Sequence, residues 1–326
     1  MSNVKPVPGT NGNQYIPYDQ RTGEESVVYF TRDLSAAGLK KIYDRIQSRI
    51  TGKTGIKLHT GEKNGPNIIP RPWVKELMAD LIKILPGADF WAGGPEVSYD
   101  AEKFLTENSE FKGVMVGEGE ETFKELAGYY VEKNPQNLKD MTGICYRDGD
   151  QIIHNGWRQI MDLSSIPFIY KDLSEFKNRI IYYESSRGCP FSCSYCLSSI
   201  DKKLRFRSLD LVLPELEWFL QAKVPQVKFV DRTFNCKKSH AMAIWQYIRD
   251  HDNGVTNFHF EIAADLLDKD ELDLLSTMRP GLVQLEIGVQ STNEKTLETI
   301  RRKTDIEEIR QITETINSWH NIHQHL

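Results

Sequence analysis

Three of the chain's five cysteines lie within eight consecutive positions. Cys189, Cys193 and Cys196 have the spacing C-x-x-x-C-x-x-C, whereas Cys145 and Cys236 stand apart from them. An odd set with this clustering is unlike a secreted disulfide framework, and isolated free cysteines are commonly small buried hydrophobic residues. The pattern therefore predicts that the three clustered thiols bind a metal or redox cluster and that Cys145 and Cys236 are core residues.

The number of thiols indicates which metal group they would hold. Three thiolates can ligate three irons of a cubane 4Fe-4S cluster and leave the fourth iron open to a small molecule. Zinc prefers a closed set of four ligands, so it would require Cys236 or His240 from a neighbouring connection. A ferredoxin-type electron carrier would require Cys236 as its fourth cysteine. We favour the cubane with an open iron, and the zinc site and the ferredoxin-type carrier remain alternative hypotheses.

The elements around the cysteines form a β-α series. Apolar runs predict strands over 180–184, 226–230, 257–262 and 282–289, and a further strand beginning at Asn321. Helical periodicity predicts helices over 209–221, 239–251, 268–276, 293–301 and 305–318. The cysteine loop follows the first strand directly. It is therefore expected at the carboxyl edge of a parallel sheet, where ligands and catalytic groups collect.

The motif C-x-x-x-C-x-aromatic-C at the start of this series resembles the signature of the radical S-adenosylmethionine (SAM) superfamily. The resemblance covers residues 180–326 and is closer to the branch of cobalamin-dependent enzymes and oxygen-independent coproporphyrinogen oxidases. It implies a 4Fe-4S cluster on Cys189, Cys193 and Cys196 whose open iron binds SAM. It also implies one-electron cleavage of SAM to a 5'-deoxyadenosyl radical, with the electron supplied by an external donor such as flavodoxin or ferredoxin.

The same resemblance assigns further cofactor-binding residues. It matches Tyr183 to a side chain beside the methionyl part of SAM, and Tyr195 to an aromatic residue whose backbone reaches the adenine. The other matched positions are Asp231 in the segment 229–235, which lacks the usual Gly-Gly pair, and then Glu261, Gln290, Ser291 and Arg302. Taken singly, Glu261 and Arg302 are also consistent with solvated or ion-paired side chains, and Tyr183 with ordinary core packing.

The first half of the chain also alternates between strand and helix. Strands are predicted over 26–30, 55–59, 88–92 and 113–116, and helices over 34–50, 72–85, 99–107 and 120–131. This alternation predicts a Rossmann-like, doubly wound parallel sheet.

The glycine turns at Gly93, Gly94, Gly117 and Gly119 resemble the last two units of a cobalamin-binding domain. Residues 26–85 instead resemble an uncharacterised family associated with iron-sulfur and ferredoxin-like proteins, which places a seam near Pro86. No D-x-H-x-x-G motif is present to supply a histidine ligand. We therefore expect weak or no cobalamin binding.

These elements predict an α/β protein of four parts. Residues 1–25 form an irregular arm, 26–142 the Rossmann-like domain, 143–178 a hairpin at Asp148-Gly149 with a linker, and 179–326 a partial (β/α) radical SAM barrel. Four complete β-α units and an incipient fifth strand fall short of the six that are usual in the family. The barrel is therefore expected to be truncated.

Composition limits the classes of partner. The chain has 41 Lys and Arg against 46 Asp and Glu, a formal charge of -5, which gives no general electrostatic basis for binding nucleic acid or anionic membranes. No apolar run reaches the ~18 residues of a membrane span, and the first residues lack signal-peptide features, so a cytoplasmic location is expected.

Methylation, rearrangement and ring formation all start from the same radical, so the sequence does not identify the substrate. The alternative function is a non-catalytic iron-sulfur electron-transfer or corrinoid-binding module.

Replacing the cysteines one at a time tests the ligand assignment. Cys189→Ala, Cys193→Ala and Cys196→Ala should each abolish the cluster, because two thiolates do not hold the cubane. Cys145→Ala and Cys236→Ala should leave the iron content of anaerobically reconstituted protein nearly unchanged. Loss of iron from Cys236→Ala as complete as from the other three would favour a four-cysteine electron carrier.

Overall fold

The computed structural model describes residues 35–46, 71–84, 87–131, 137–176, 179–199 and 203–326. These residues form two compact units, one ending at Arg158 and the other beginning at Gln159. The predicted arm over 1–25, the predicted strands over 26–30 and 55–59, and the seam at Pro86 lie outside the described residues.

The first unit contains five helices and four strands among its described residues. Helices α1 (Ala36–Ile46) and α2 (Arg71–Ile84) contact each other. The elements that follow are β1 (Phe90–Gly93), α3 (Pro95–Ser98), α4 (Ala101–Glu107), β2 (Phe111–Met115) and α5 (Glu120–Val131). The segment after Gly94, predicted as a turn, is a short helix with proline in its first turn, where the missing N–H is tolerated.

The sheet of the first unit is mixed. Its strand order is β1-β2-β3-β4, with β3 at Ile144–Asp148 and β4 at Gln151–His154. Strands β1 and β2 are parallel, whereas β2, β3 and β4 are antiparallel. The predicted hairpin is present, and Gly149 has the positive φ of 61° that the tight turn requires. The hairpin, which the sequence analysis grouped with the linker, extends the sheet of the first unit.

The second unit is built on a parallel sheet of five strands. Their order is β11-β10-β9-β8-β5, and every adjacent pair is parallel. The strands are β5 (Ile181–Tyr183), β8 (Gln226–Phe229), β9 (Asn257–Ile262), β10 (Val283–Ile287) and β11 (His323–His325). Two short strands, β6 (Ser186–Arg187) and β7 (Arg205–Phe206), pair antiparallel beside it. The α/β class is confirmed, and the described strands form an open sheet.

Helices cover one face of this sheet. They are α6 (Leu209–Gln221), α7 (Lys238–Asp250), α8 (Lys269–Ser276) and α10 (Ile306–Trp319), and the short helix α9 (Glu294–Thr299) follows β10. The core lies between helices and sheet, where Phe229, Phe260 and Trp245 are fully buried and their rings pack together. Burial of each such side chain stabilises the fold by about 1.5–3 kcal/mol. Within the described ranges, no helix is long and apolar enough to cross a membrane.

Candidate active site

The cysteine loop begins at a glycine that no other residue can replace without strain. Gly188 has φ of 100°, and a Cβ placed on it would lie 2.7 Å from the Lys203 carbonyl oxygen. The next residue, Cys189, is buried, as is Cys193, whereas Cys196 is half-buried. The start of the loop is therefore held in one conformation, and the thiol nearest to solvent lies at its end.

The second half of the loop is attached to the segment that follows α9. The Ser194 amide donates to the Ile300 carbonyl oxygen at 2.9 Å. Arg302 Nη1 lies 4.0 Å from Cys193 Sγ, and Nη2 donates to the Gly288 carbonyl oxygen. The guanidinium therefore joins a cysteine to the carboxyl end of β10.

Tyr195 and Gln290 belong to the same cluster of residues. Burial and the charge of Cys193 raise the pKa of Tyr195, which Arg302 opposes through a hydrogen bond and its positive charge. Gln290 has a left-handed φ of 67°, and its Nε2 would lie 3.2 Å from a Cβ on Gly288. The structure thus brings together Cys193, Tyr195, Gln290 and Arg302, which the resemblance had assigned separately. Ser291, at the same turn, donates its amide to the Val289 carbonyl oxygen at 2.8 Å.

Asp231 has partners other than those expected. It was assigned to cofactor binding, but its carboxylate is fully buried and accepts hydrogen bonds from Ser185 N at 2.8 Å and from Ser185 Oγ and Ser186 Oγ at 2.6 Å each. Burial raises its pKa to about 6, against the lowering effect of these hydrogen bonds. Two residues further on, Thr233 Oγ1 lies 3.5 Å from Cys189 Sγ. Asp231 therefore contacts the chain that leads into the cysteine loop.

Tyr183 packs in the hydrophobic core of the second unit. Its ring packs in the helix-side core against Phe219 and Phe229, and its hydroxyl donates to Glu215 Oε2 at 2.5 Å. Burial, followed by the Glu215 carboxylate, raises its pKa. Successive side chains of a strand alternate between faces, so the exposed neighbour Tyr182 occupies the opposite face. The core-packing interpretation of Tyr183 is the one that the structure supports.

Glu261 lies on a polar face of the second sheet that the sequence analysis did not recognise. Lys228 Nζ is 3.6 Å from Glu261 Oε1 and 2.9 Å from Glu286 Oε2. His259 Nε2 lies 3.1 Å from the same Glu286 oxygen. Strand register places these side chains and others on one face, which we call the polar sheet face: Tyr182, Lys228, His259, Glu261, Gln284, Glu286, His323 and His325.

Electrostatics couple the charged residues of the polar sheet face. Burial lowers the pKa of Lys228, but the hydrogen bonds and charges of Glu286 and Glu261 outweigh it, so the net shift is upward. The hydrogen bond from Lys228 lowers the pKa of Glu286, whereas burial and the Glu286 charge raise that of Glu261. Two carboxylates thus share one ammonium group. The signal in the sequence was the polar residue at every second position of these strands, as in QVKF and VQLEI.

The three thiols of the cysteine loop suit a cubane cluster, because three thiolates can ligate three of its irons. A zinc site would require a fourth ligand from outside the loop. His240, the zinc alternative, is buried with Nε2 on Ser185 Oγ at 3.1 Å, and burial lowers its pKa to about 4. Cys189, Cys193 and Cys196 are accordingly the residues that would hold a cluster.

The glycine turns of the first unit lie at one edge of its sheet. Strands β1 and β2 are parallel, and the Ser98 hydroxyl links their ends by donating to the Gly94 carbonyl oxygen at 2.8 Å and accepting from the Gly117 amide at 3.2 Å. A Cβ on Gly117 would lie 3.1 Å from the Trp157 ring. Gly93 packs beside Met115, and Gly119 has open space around it. The two glycine turns therefore share one edge of the sheet, and Trp157 lies over part of it.

Comparisons with known proteins identify a family for the second unit. Residues 183–318 match the model of the radical SAM superfamily. An uncharacterized methyltransferase of Pyrococcus horikoshii is 31% identical over 162 residues, which are 47% of this chain and 35% of that protein. The anaerobic magnesium-protoporphyrin IX monomethyl ester cyclase of Synechocystis is 27% identical over 77% of this chain and 51% of its own length.

A solved structure shows the same fold. The radical SAM methyltransferase TsrM of Kitasatospora setae, with cobalamin and a [4Fe-4S] cluster bound, aligns with a TM-score of 0.59 and 16% identity, covering 78% of this chain and 51% of that one. The chain therefore spans between about a third and half of the lengths of these relatives. Residues 183–318 therefore form a radical SAM domain, and the enzymes of that superfamily use a 4Fe-4S cluster and SAM.

Two glycines with positive φ provide a matched test of the loop geometry. Gly188→Ala places a Cβ against the Lys203 backbone, whereas Gly254, with φ of 73°, has nothing within 4 Å of that position. Both variants incur backbone strain of roughly 1–2 kcal/mol, but only Gly188→Ala should also lower the iron content after reconstitution. An equal iron content in Gly188→Ala, Gly254→Ala and wild-type protein would contradict the inference that Gly188 fixes the start of the cysteine loop.

Proposed function

We propose that the protein is a radical SAM enzyme whose cluster is held by Cys189, Cys193 and Cys196. The observation that carries the proposal is the attachment of this three-cysteine loop, at the carboxyl edge of a parallel sheet, to Arg302 and Gly288 at the end of β10. Bound together, the cluster and SAM would supply reductive cleavage of the sulfonium and a 5'-deoxyadenosyl radical.

The protein's own residues would bind and orient SAM around the loop. The Arg302 guanidinium lies beside Cys193 and carries a fixed positive charge, which suits a carboxylate. Gln290 presents an amide at the same edge, and the exposed turn of Tyr195 adds an aromatic ring. We propose Tyr195, Gln290, Ser291 and Arg302 as the SAM-binding residues from this edge, with Glu261 facing SAM or substrate from the polar sheet face.

The polar sheet face supports a substrate with hydrogen-bonding groups. Its charged members are Lys228, Glu261 and Glu286, so the two carboxylates outnumber the one ammonium group. His259 stacks near His325 with ring centroids 5.9 Å apart, which adds imidazole nitrogens that can form hydrogen bonds. An apolar substrate would displace the water that solvates these charged and polar groups, at a cost in free energy, so we infer that the substrate is polar where it contacts this face.

Electron supply and location complete the proposal. The three thiols are free, and such clusters persist under reducing conditions, which supports a cytoplasmic enzyme served by an external electron donor such as flavodoxin or ferredoxin.

The alternative function is a non-catalytic iron-sulfur electron carrier, in which a protein ligand would occupy the fourth iron. Cys236 is the candidate for that ligand, and burial raises the pKa of its thiol to about 11.

Incubation with SAM distinguishes the two functions. The reconstituted, reduced protein should show a changed electron paramagnetic resonance spectrum when SAM is added, and should release 5'-deoxyadenosine detectable by mass spectrometry. Cys193→Ala serves as the control without a complete cluster. A spectrum that SAM leaves unchanged, with no 5'-deoxyadenosine, would favour the carrier.

A corrinoid on the first unit is the second candidate function. The shared glycine edge of β1 and β2 favours it, because glycines allow the backbone to approach a bulky ligand. However, Trp157 lies over Gly117 and pairs with Tyr99 at a centroid distance of 5.5 Å. A planar macrocycle would have to displace this aromatic pair, which supports weak or no binding by the chain.

Hydroxocobalamin titration followed by gel filtration measures this directly. We expect the wild-type chain to retain less than a stoichiometric amount of corrinoid, and Trp157→Ala to retain more because the glycine edge is uncovered. Stoichiometric retention by the wild-type chain would show that Trp157 does not obstruct the site and that the expectation is wrong.

A further inference from the structure

The segment that contains Asp231 and Thr233 contacts residues 185–189 at two separate points. Asp231 accepts the three hydrogen bonds from Ser185 and Ser186, and Thr233 Oγ1 lies 3.5 Å from Cys189 Sγ. The contacts continue the parallel pairing of β5 with β8, since the Val230 amide donates to the Tyr183 carbonyl oxygen at 2.9 Å. Residues 183–189 are thus held along their length against residues 230–233.

The carboxylate is closed off from ligands by burial. It is 0% exposed, and its three donors all come from Ser185 and Ser186. Because the Ser185 hydroxyl gives its one proton to Asp231, His240 Nε2 must donate to Ser185 Oγ, at 3.1 Å. The Arg207 amide donates to the Ser185 carbonyl oxygen at 2.8 Å, so both the backbone and the side chain of Ser185 are fixed.

We propose that Asp231 is a positioning residue for the cluster: it binds neither iron nor SAM, and it fixes Ser185 and Ser186 so that Cys189 meets the cluster in one orientation. The proposal rests on the proposed function, in which Cys189 ligates iron. A buried carboxylate beside the loop also places negative charge near the cluster, and such charge lowers the reduction potential of an iron-sulfur centre.

Asp231→Asn is the direct test, because the amide keeps the shape but turns one acceptor into a donor that faces the donors on Ser185 and Ser186. Iron release from the reconstituted protein to a ferrous chelator should be roughly 10- to 100-fold faster than from wild-type protein, the usual effect of losing a partner behind a metal ligand. The midpoint potential of the cluster should also shift upward, because the substitution removes the negative charge of the carboxylate.

Asp252→Asn is the matched control. Asp252 accepts hydrogen bonds from Arg279 Nε at 2.7 Å and from the Gly254 amide at 3.0 Å, in the same unit but with no contact to the cysteine loop. It should lower the thermal stability and leave iron release and potential at wild-type values. Equal release rates and potentials in Asp231→Asn and wild-type protein would overturn the proposal.

Ser186→Ala decides the question if Asp231→Asn does not fold. It removes one of the three hydrogen bonds and keeps the carboxylate, so iron release should be roughly fivefold faster, and release at the wild-type rate would overturn the proposal. Failure of the wild-type chain itself to assemble a cluster would instead contradict the proposed function, so the two failures are distinguishable.

Discussion

The parallel pairing of β5 with β8 and of β9 with β10 is the constraint on which the site depends. Because parallel strands end at the same edge, the loops after β5, β8 and β10 meet there although they are far apart in sequence. Asn235 reinforces this edge by donating to the Ala263 carbonyl oxygen and accepting from the Ala263 amide, at 2.8 and 3.0 Å. The cysteine loop is held by contacts to two of its neighbours, through Thr233 and Arg302.

The same sheet separates two chemical environments. Its helix-covered face carries the aromatic core of Phe229, Phe260 and Trp245, which makes the strands rigid. The polar sheet face carries the ion pairs of Lys228 with Glu261 and Glu286. This division arises because successive side chains of each strand point to opposite faces of the sheet. A rigid support behind a polar surface, next to the cysteine loop, is what an enzyme that controls a reactive intermediate requires.

Sequence reasoning predicted the order of elements in the second unit, because strands and helices there have clear periods of two and 3.6 residues. It also placed the cysteines on a loop after the first strand of the series. It did not predict the partners of Tyr183 and Asp231, since a motif match gives a position in the chain and not the direction of a side chain. The direction of Tyr183 follows from the pleat of β5, and the partners of Asp231 follow from residues 46 and 45 positions away. The polar sheet face was missed because each strand was assessed by its apolar residues.

In the function proposed above, three cysteines hold a cubane whose fourth iron is free to bind SAM. Mössbauer spectroscopy of protein reconstituted with ⁵⁷Fe, recorded with and without SAM, tests this ligand arrangement most directly. We expect a 4Fe-4S cluster in which one of the four irons is distinct and changes its isomer shift when SAM is added. A cluster of four protein-ligated irons whose spectrum SAM does not alter would contradict it.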